Sequence, residues 1–347
     1  MNRRRIFLGV IITVLVLVIG LGSLYALMPK MGYCFGAALS ETGDRLLVTA
    51  GYRGLHSFEI TREGELEFVS TVYDSGYYRY VELRGQTAYV ANSHRGLMIL
   101  DVAQDEPAIL WAQSDSMAYG IHLQSPLAYV AAERDGLFIF DISVPEDPEI
   151  LAHASMPGRA WDVWVEDNYA FVANADSGLV VMDVSSPRHP QIVSTLAWDS
   201  ESSSAEIIDG QDGSVYIASG EYGLLVVDVR NPLDPVIVQR YDPGPDSYGE
   251  GVKVYGDTLY LTIEDGSHPE ENGLHVFSIE DPLSPTLVRK IPILDFVEDV
   301  SIGGVHLAIA NTQSGVLLYD IQAPQNPRFL ASYPSAFWRM FTSRLKW

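Results

Sequence analysis

Only one residue in 347, Cys34, is a cysteine, so no disulfide can form within the chain. That scarcity does not decide the compartment, because a large apolar core needs no disulfide on either side of a membrane. Basic residues are also few, 22 Lys and Arg against 45 Asp and Glu. Seven of the 22 sit at the two ends: Arg3, Arg4, Arg5 and Lys30, then Arg339, Arg344 and Lys346, with no acid beside them. The body between therefore sets 15 basic residues against 45 acids and carries about −30. Such a body repels phosphate backbones, which excludes nucleic acid as a partner. It suits cationic ligands, divalent metals and basic protein surfaces, and it also serves plain solubility. Catalytic signatures are missing as well. The sequence holds no HExxH, GxSxG or CxxC and no phosphate-cradling glycine loop, and its eight histidines are scattered.

One long apolar run is present. Residues Ile6 to Met28 pass without a charge, long enough as a helix to cross a hydrocarbon core of about 30 Å. Three arginines precede it, so the positive-inside rule expects residues 1–5 in the cytoplasm and everything after Lys30 outside. A cleaved signal peptide has a shorter apolar core of about 7–15 residues and a small-residue cleavage site. A lipoprotein signal would not place Tyr33 next to Cys34. The reading is a single-pass protein with a retained transmembrane signal-anchor at 6–28 and a periplasmic or extracellular body.

The body repeats itself. A glycine, an apolar residue, a run of β-formers and usually Asp recur as GLHSFEI from Gly54, GLMILDV from Gly96, GLFIFDI from Gly136 and GLVVMDV from Gly178. GLLVVDV from Gly223, GLHVFSI from Gly273 and GVLLYDI from Gly315 complete the set. Successive glycines lie 42, 40, 42, 45, 50 and 42 residues apart, the period of a propeller blade. A second apolar run precedes each glycine, as in AYVAN from Ala88, and an alternating stretch such as WDVWV from Trp161 precedes that. A Pro-rich turn and a fourth run follow. The runs are too short for helices and rich in Val, Ile, Tyr and Phe, so each unit reads as four antiparallel strands. Glycine before each third strand suits a turn of positive φ. The expected fold is all-β: a seven-bladed β-propeller over 33–334, closed in phase, preceded by one N-terminal transmembrane helix. The residues 335–347, SAFWRMFTSRLKW, form a basic aromatic tail suited to a membrane interface or to docking on the acidic body.

The string with its Ser/Pro-x-x-Pro turn resembles the LVIVD-repeat family of bacterial and archaeal propellers; Glu59 and Ser278 depart from it where Asp stands elsewhere. The resemblance implies a surface-exposed, extracytoplasmic binding scaffold. It brings no catalytic residues with it.

A common register on the first strands aligns Gly36, Tyr80, Gly120, Asp162, Ala205, Gly251 and Asp299. One step earlier stand Phe35, Arg79, Tyr119, Trp161, Ser204, Glu250 and Glu298. This expects a channel mouth of aromatics, carboxylates and one arginine, with Arg79, Tyr80, Tyr119, Trp161, Asp162, Glu250, Glu298 and Asp299 as its ligand-binding set. Asp162 and Asp299 at a crowded axis also suit acceptance of backbone N–H groups, and Trp161 and Trp164 also suit packing between blades. The loop TIEDGSHPEENG from Thr262 offers Glu264, Asp265, Glu270 and Glu271 as oxygen ligands for Ca²⁺, although its spacing matches no known metal loop. The leading expectation is a non-enzymatic, membrane-anchored scaffold for a protein or a surface polymer, with no cofactor. The alternatives are an extracytoplasmic hydrolase or lyase using acids at the mouth, and a Ca²⁺-dependent adhesion module.

Overall fold

The computed structural model describes residues 31, 33–113, 116–198, 205–268, 270–312 and 315–333. The anchor at 6–28 and the tail at 335–347 lie outside them. Among the described residues no helix is long and apolar enough to cross a membrane.

Among the described residues twenty-eight strands form seven four-stranded antiparallel sheets, each made of four consecutive strands. Blades one to seven span residues 36–72, 78–112, 120–154, 160–196, 207–241, 247–292 and 297–333. Among the described residues no strand crosses from one end of the chain into the other's sheet, so the ring closes in phase as expected. Blade one meets blade seven through the innermost strands, where Ala37 N donates to Asp299 Oδ2 at 3.1 Å and Leu39 N to Ser301 Oγ at 3.0 Å. At the outer edge the Tyr333 ring packs on Phe58 and Phe68.

The repeat grammar has a structural reason at each letter. Every repeat glycine has positive φ, for example 86° at Gly136 and 89° at Gly178. At both of these a Cβ would also overlap a carbonyl of the neighbouring fourth strand, so glycine is needed twice over. The apolar run that follows is buried on both faces: Leu97, Met98, Ile99 and Leu100 have no exposure at all. Each such side chain contributes about 1.5–3 kcal/mol by leaving water. In all seven blades the ladder between third and fourth strands slips at the fourth residue after the glycine, between Ser57 and Phe58 in blade one and at the matching pair elsewhere. A bulge in the outer pair adds twist, which a propeller blade requires. The repeat Asp ends the third strand and accepts the backbone N–H two residues on: Asp101 from Ala103, Asp141 from Ser143, Asp183 from Ser185, Asp228 from Arg230 and Asp320 from Gln322. The aspartate thus caps the Pro-rich turn.

Apolar clusters lie between neighbouring blades. Leu47 and Leu55 of blade one pack with Val81, Val90 and Met98 of blade two, and Phe171 and Leu179 of blade four with Ile208 and Ile217 of blade five. On the face that carries the Pro-rich turns a second device ties blade to blade. Arg84 donates to Leu123 O, Tyr255 to Gly304 O, and Glu166 accepts from Gly213 N.

Candidate functional site

The innermost strands line the axis, and their starts form the mouth of a channel on the face opposite the Pro-rich turns. A cavity of about 90 Å³ opens there, lined by Phe35, Arg79, Tyr80, Tyr119, Trp161, Glu206, Ile207, Glu250, Glu298 and Asp299. One residue from each blade forms its rim: Phe35, Arg79, Tyr119, Trp161, Glu206, Glu250 and Glu298. The inner ladders slip at Tyr78/Tyr80, Ala160/Asp162, Gly249/Val252 and Val297/Val300. Those bulges fall on Arg79, Trp161, Glu250 and Glu298, and a bulge re-aims a side chain that strict alternation would send to the other face.

The sequence register holds in six blades and needs a correction in the fifth. Ile207, not Ala205, pairs with Ala218, so Glu206 takes the rim position that the register gave to Ser204. Counting back from Ala218 by the 13 residues that separate Gly36 from Thr49 in blade one gives Ala205, whereas the 11 residues that separate Tyr80 from Ala91, Gly120 from Ala131 and Asp162 from Ala173 give Ile207. Of the expected set, Arg79, Tyr80, Tyr119, Trp161, Glu250, Glu298 and Asp299 all line the cavity.

Asp162 does not line it. Its Oδ2 accepts Ile208 N from blade five at 3.1 Å, and Oδ1 lies where a Cβ on Gly120 would be, which is why blade three has glycine there. Asp299 does the same for blade one while also flooring the cavity. A third aspartate, which the sequence register does not single out, is Asp209; it accepts Val254 N at 2.8 Å. These three carboxylates tether each inner strand to the next blade.

The rim has two unlike halves. In blades one to four Arg79 lies over the rings of Tyr119, Trp161, Phe35 and Tyr77, at 4.3, 5.6, 5.8 and 5.9 Å. Tyr52 extends this wall outward against Tyr77 and His94. In blades five to seven stand Glu206, Glu250 and Glu298. Burial first, and then Glu206, Glu298 and Glu264, push the Glu250 carboxyl well above the usual carboxylate range, and it shares a hydrogen bond with Glu206. Burial, then Glu206 and Glu264, push Glu298 up to about 7, against the pull of Arg79.

Two residues further along the strands lies a deeper tier containing Glu82, His122, Trp164, Asp209 and Lys253. Lys253 Nζ is 3.4 Å from Asp209 Oδ2 and keeps 32% of its side chain open. Burial works against its charge, but Asp209, Glu82, Asp299 and Asp162 outweigh that and raise its pKa. Glu82 is pushed up to about 7 by burial and Asp209, with Lys253 opposing. Burial, then Lys253 and Arg84, hold His122 down at about 3, a neutral imidazole packed on Trp164. Period two along the strand is the signal that could have found this tier: Glu82 follows Tyr80 and Lys253 follows Gly251 at the spacing that keeps a side chain on one face.

Three of the four blade-six acids have other partners in the described structure. The Asp265 carboxylate is buried and accepts from Ser247 Oγ and from the backbone N–H groups of Ser267 and His268. Glu271 pairs with Lys290, and Glu264 acts on the rim by raising the Glu250 carboxyl. Among the described residues no group of three or more His, Cys, Asp or Glu is placed to hold a metal ion.

The LVIVD repeat model matches residues 75–108, 117–152, 157–197 and 212–243, which fall on blades two to five. No curated protein matches the chain. Among solved structures, U3-55K is similar at a TM-score of 0.66 and 8% identity, over 82% of this chain and 90% of that one. Sqt1 of Saccharomyces cerevisiae aligns at 0.61 and 10% identity over 86% and 85%, and the computationally designed Ika8 protein at 0.61 and 11% over 85% and 98%. At such identities the likeness is one of fold.

Proposed function

We propose that the chain is an LVIVD-type binding scaffold, held at a membrane by residues 6–28 with the propeller outside, which engages a protein or surface polymer through the face around the channel mouth. The observation that carries this reading is the rim itself, to which all seven blades bring a side chain other than the tethering aspartates. The face adds exposed apolar groups, including Tyr52 at 65%, Tyr73 at 64% and Leu294 at 81%. Aromatic anchors within a charged surround are the usual make-up of an energetic contact patch. The tethering role of Asp162 and Asp299 weighs against their use in catalysis.

Photocrosslinkers at Tyr52 and Leu294 on the mouth face, and at Val144 and Leu233 on the opposite face, test the reading in membranes of the source cells. The expected result is a discrete adduct from the first pair only. Equal yields from both faces, or none from either, overturns it. A membrane-impermeant maleimide reacting in intact cells with a Leu233→Cys variant is the expected sign of an external propeller, and reaction only after lysis would refute that placement.

A further inference from the structure

The hydrogen-bonding groups at the mouth are of two opposite kinds, and they face one another. Arg79 is held by rings alone: its guanidinium makes no hydrogen bond or ion pair with any described residue, which leaves several N–H donors open to the cavity. Beside it the Trp161 indole N–H is buried and has no partner among the described residues. Both belong to the aromatic half. Blade two stands across the ring from blades five and six, so the opposite wall is Glu206 and Glu250, with Glu298 next in order. The hydrogen bond between Glu206 and Glu250 needs a proton on one of them. Donors without acceptors on one side face carboxyls crowded against like charge on the other. Each condition is costly wherever the group is held away from bulk water.

We propose that the mouth is a receptor for a small amino-carboxylic zwitterion, its carboxylate taken by Arg79 and the Trp161 N–H and its ammonium by Glu250 and Glu298 beside Glu206. This rests on the mouth being a binding site and adds what it binds. A planar guanidinium fits a carboxylate through two parallel N–H donors, and its stacking on Tyr119 fixes the plane of that fork. An ammonium supplies three donors to the glutamates and replaces the proton they share. Binding therefore releases a proton. A simple amine would satisfy only one wall, and a simple carboxylate would leave the glutamate wall as it is.

The experiment is calorimetric titration of the full chain in detergent at pH 7 with glycine, β-alanine, 4-aminobutyrate, 6-aminohexanoate and alanylalanine, against acetate and n-butylamine. The graded lengths measure the span of the mouth. One member is expected to bind at least about tenfold tighter than both one-ended probes, with proton release seen as a dependence of the heat on buffer ionisation. Arg79→Gln should reduce that member to the affinity of butylamine, and Glu250→Gln to that of acetate. Butylamine binding as tightly as the best zwitterion, binding without proton release, or no saturable heat up to roughly 10 mM each overturns the proposal. The wild-type readouts suffice if either variant fails to fold. If the zwitterions fail while crosslinking from Tyr52 still yields its adduct, the ligand class is wrong and the scaffold reading stands.

Discussion

The mouth of the channel and the layers just below it use the same residue types with opposite accounting. Below the rim each aspartate has a fixed use: Asp162, Asp209 and Asp299 accept a backbone N–H of another blade, and Lys253 sits among them as the countercharge. At the mouth, a few residues back along the same strands, Glu250 and Glu298 face other glutamates, and Arg79 is held by aromatic rings. Acid identity on an inner strand therefore carries no function by itself. What separates a structural acid from a candidate binding acid is whether it already holds a backbone N–H of another blade.

The hardest way to break that contrast is to remove the countercharge below. Lys253→Met leaves Asp209, whose side chain is 3% exposed, beside Glu82 without its paired lysine. Truncating one partner of a buried charge cluster costs about 3–5 kcal/mol, and the open part of the Lys253 side chain points to the lower end of that range. Chemical denaturation should show the midpoint falling without a change of slope. Adding Asp209→Asn, which removes the orphaned charge and keeps an acceptor for Val254 N, should recover part of the loss. A Lys253→Met protein as stable as the wild type would mean that the lower tier is no more committed than the mouth.

A smaller effect is expected at Asp299, which both tethers a blade and floors the cavity. Asp299→Ala leaves Ala37 N without its acceptor at the seam between the last blade and the first, a loss of about 1–3 kcal/mol. Asp299→Asn keeps an oxygen acceptor, and burial already pushes the carboxyl up to about 7, so Asn should change thermal melts at pH 7 very little. If Asn proves as damaging as Ala, the charge and not the tether is what Asp299 supplies.

Much of this is legible in the amino-acid sequence. The glycine period fixes seven blades because the repeat glycines are required by backbone conformation and, at Gly136 and Gly178, by contact with a carbonyl; such a requirement survives when neighbouring side chains vary. The mouth can be read wherever an aromatic or charged residue precedes the aligned position at the start of the first strand, as at Arg79, Tyr119, Trp161 and Glu298. The reading fails at Glu206, because the register takes Ser204-Ala205, two residues early, in place of Glu206-Ile207. The lower tier needs a further step, because Glu82 and Lys253 stand at period two from an aligned position that already looks complete. The bulges that turn Arg79 and Trp161 inward leave no local signature, because they depend on how one strand registers against the next. Nor does sequence spacing reveal that the loop acid Asp265 spends its oxygens on its own loop.

The least disruptive change sharpens the contrast most. Glu298 has a pKa of about 7 in the folded chain, above the ordinary glutamate value of about 4.3 that it takes when unfolded. Folding therefore favours its protonated form. Below both values the group is protonated in either state and costs nothing; as pH rises between them the unfolded chain alone loses the proton, and the full penalty is reached above about 7. Glu298→Gln removes that penalty without removing a backbone tether, since no described backbone N–H donates to Glu298. The variant should match the wild type near pH 4 and exceed it by about 1 kcal/mol at pH 8, a figure kept low because the cavity is open to water. Paired denaturation curves at the two pH values measure the difference. A gain of equal size at both would mean that packing, not charge, distinguishes the mouth. A loss at pH 8 would mean that Glu298 is already satisfied there, and the wall offered to an ammonium would shrink to Glu250 and its neighbour Glu206.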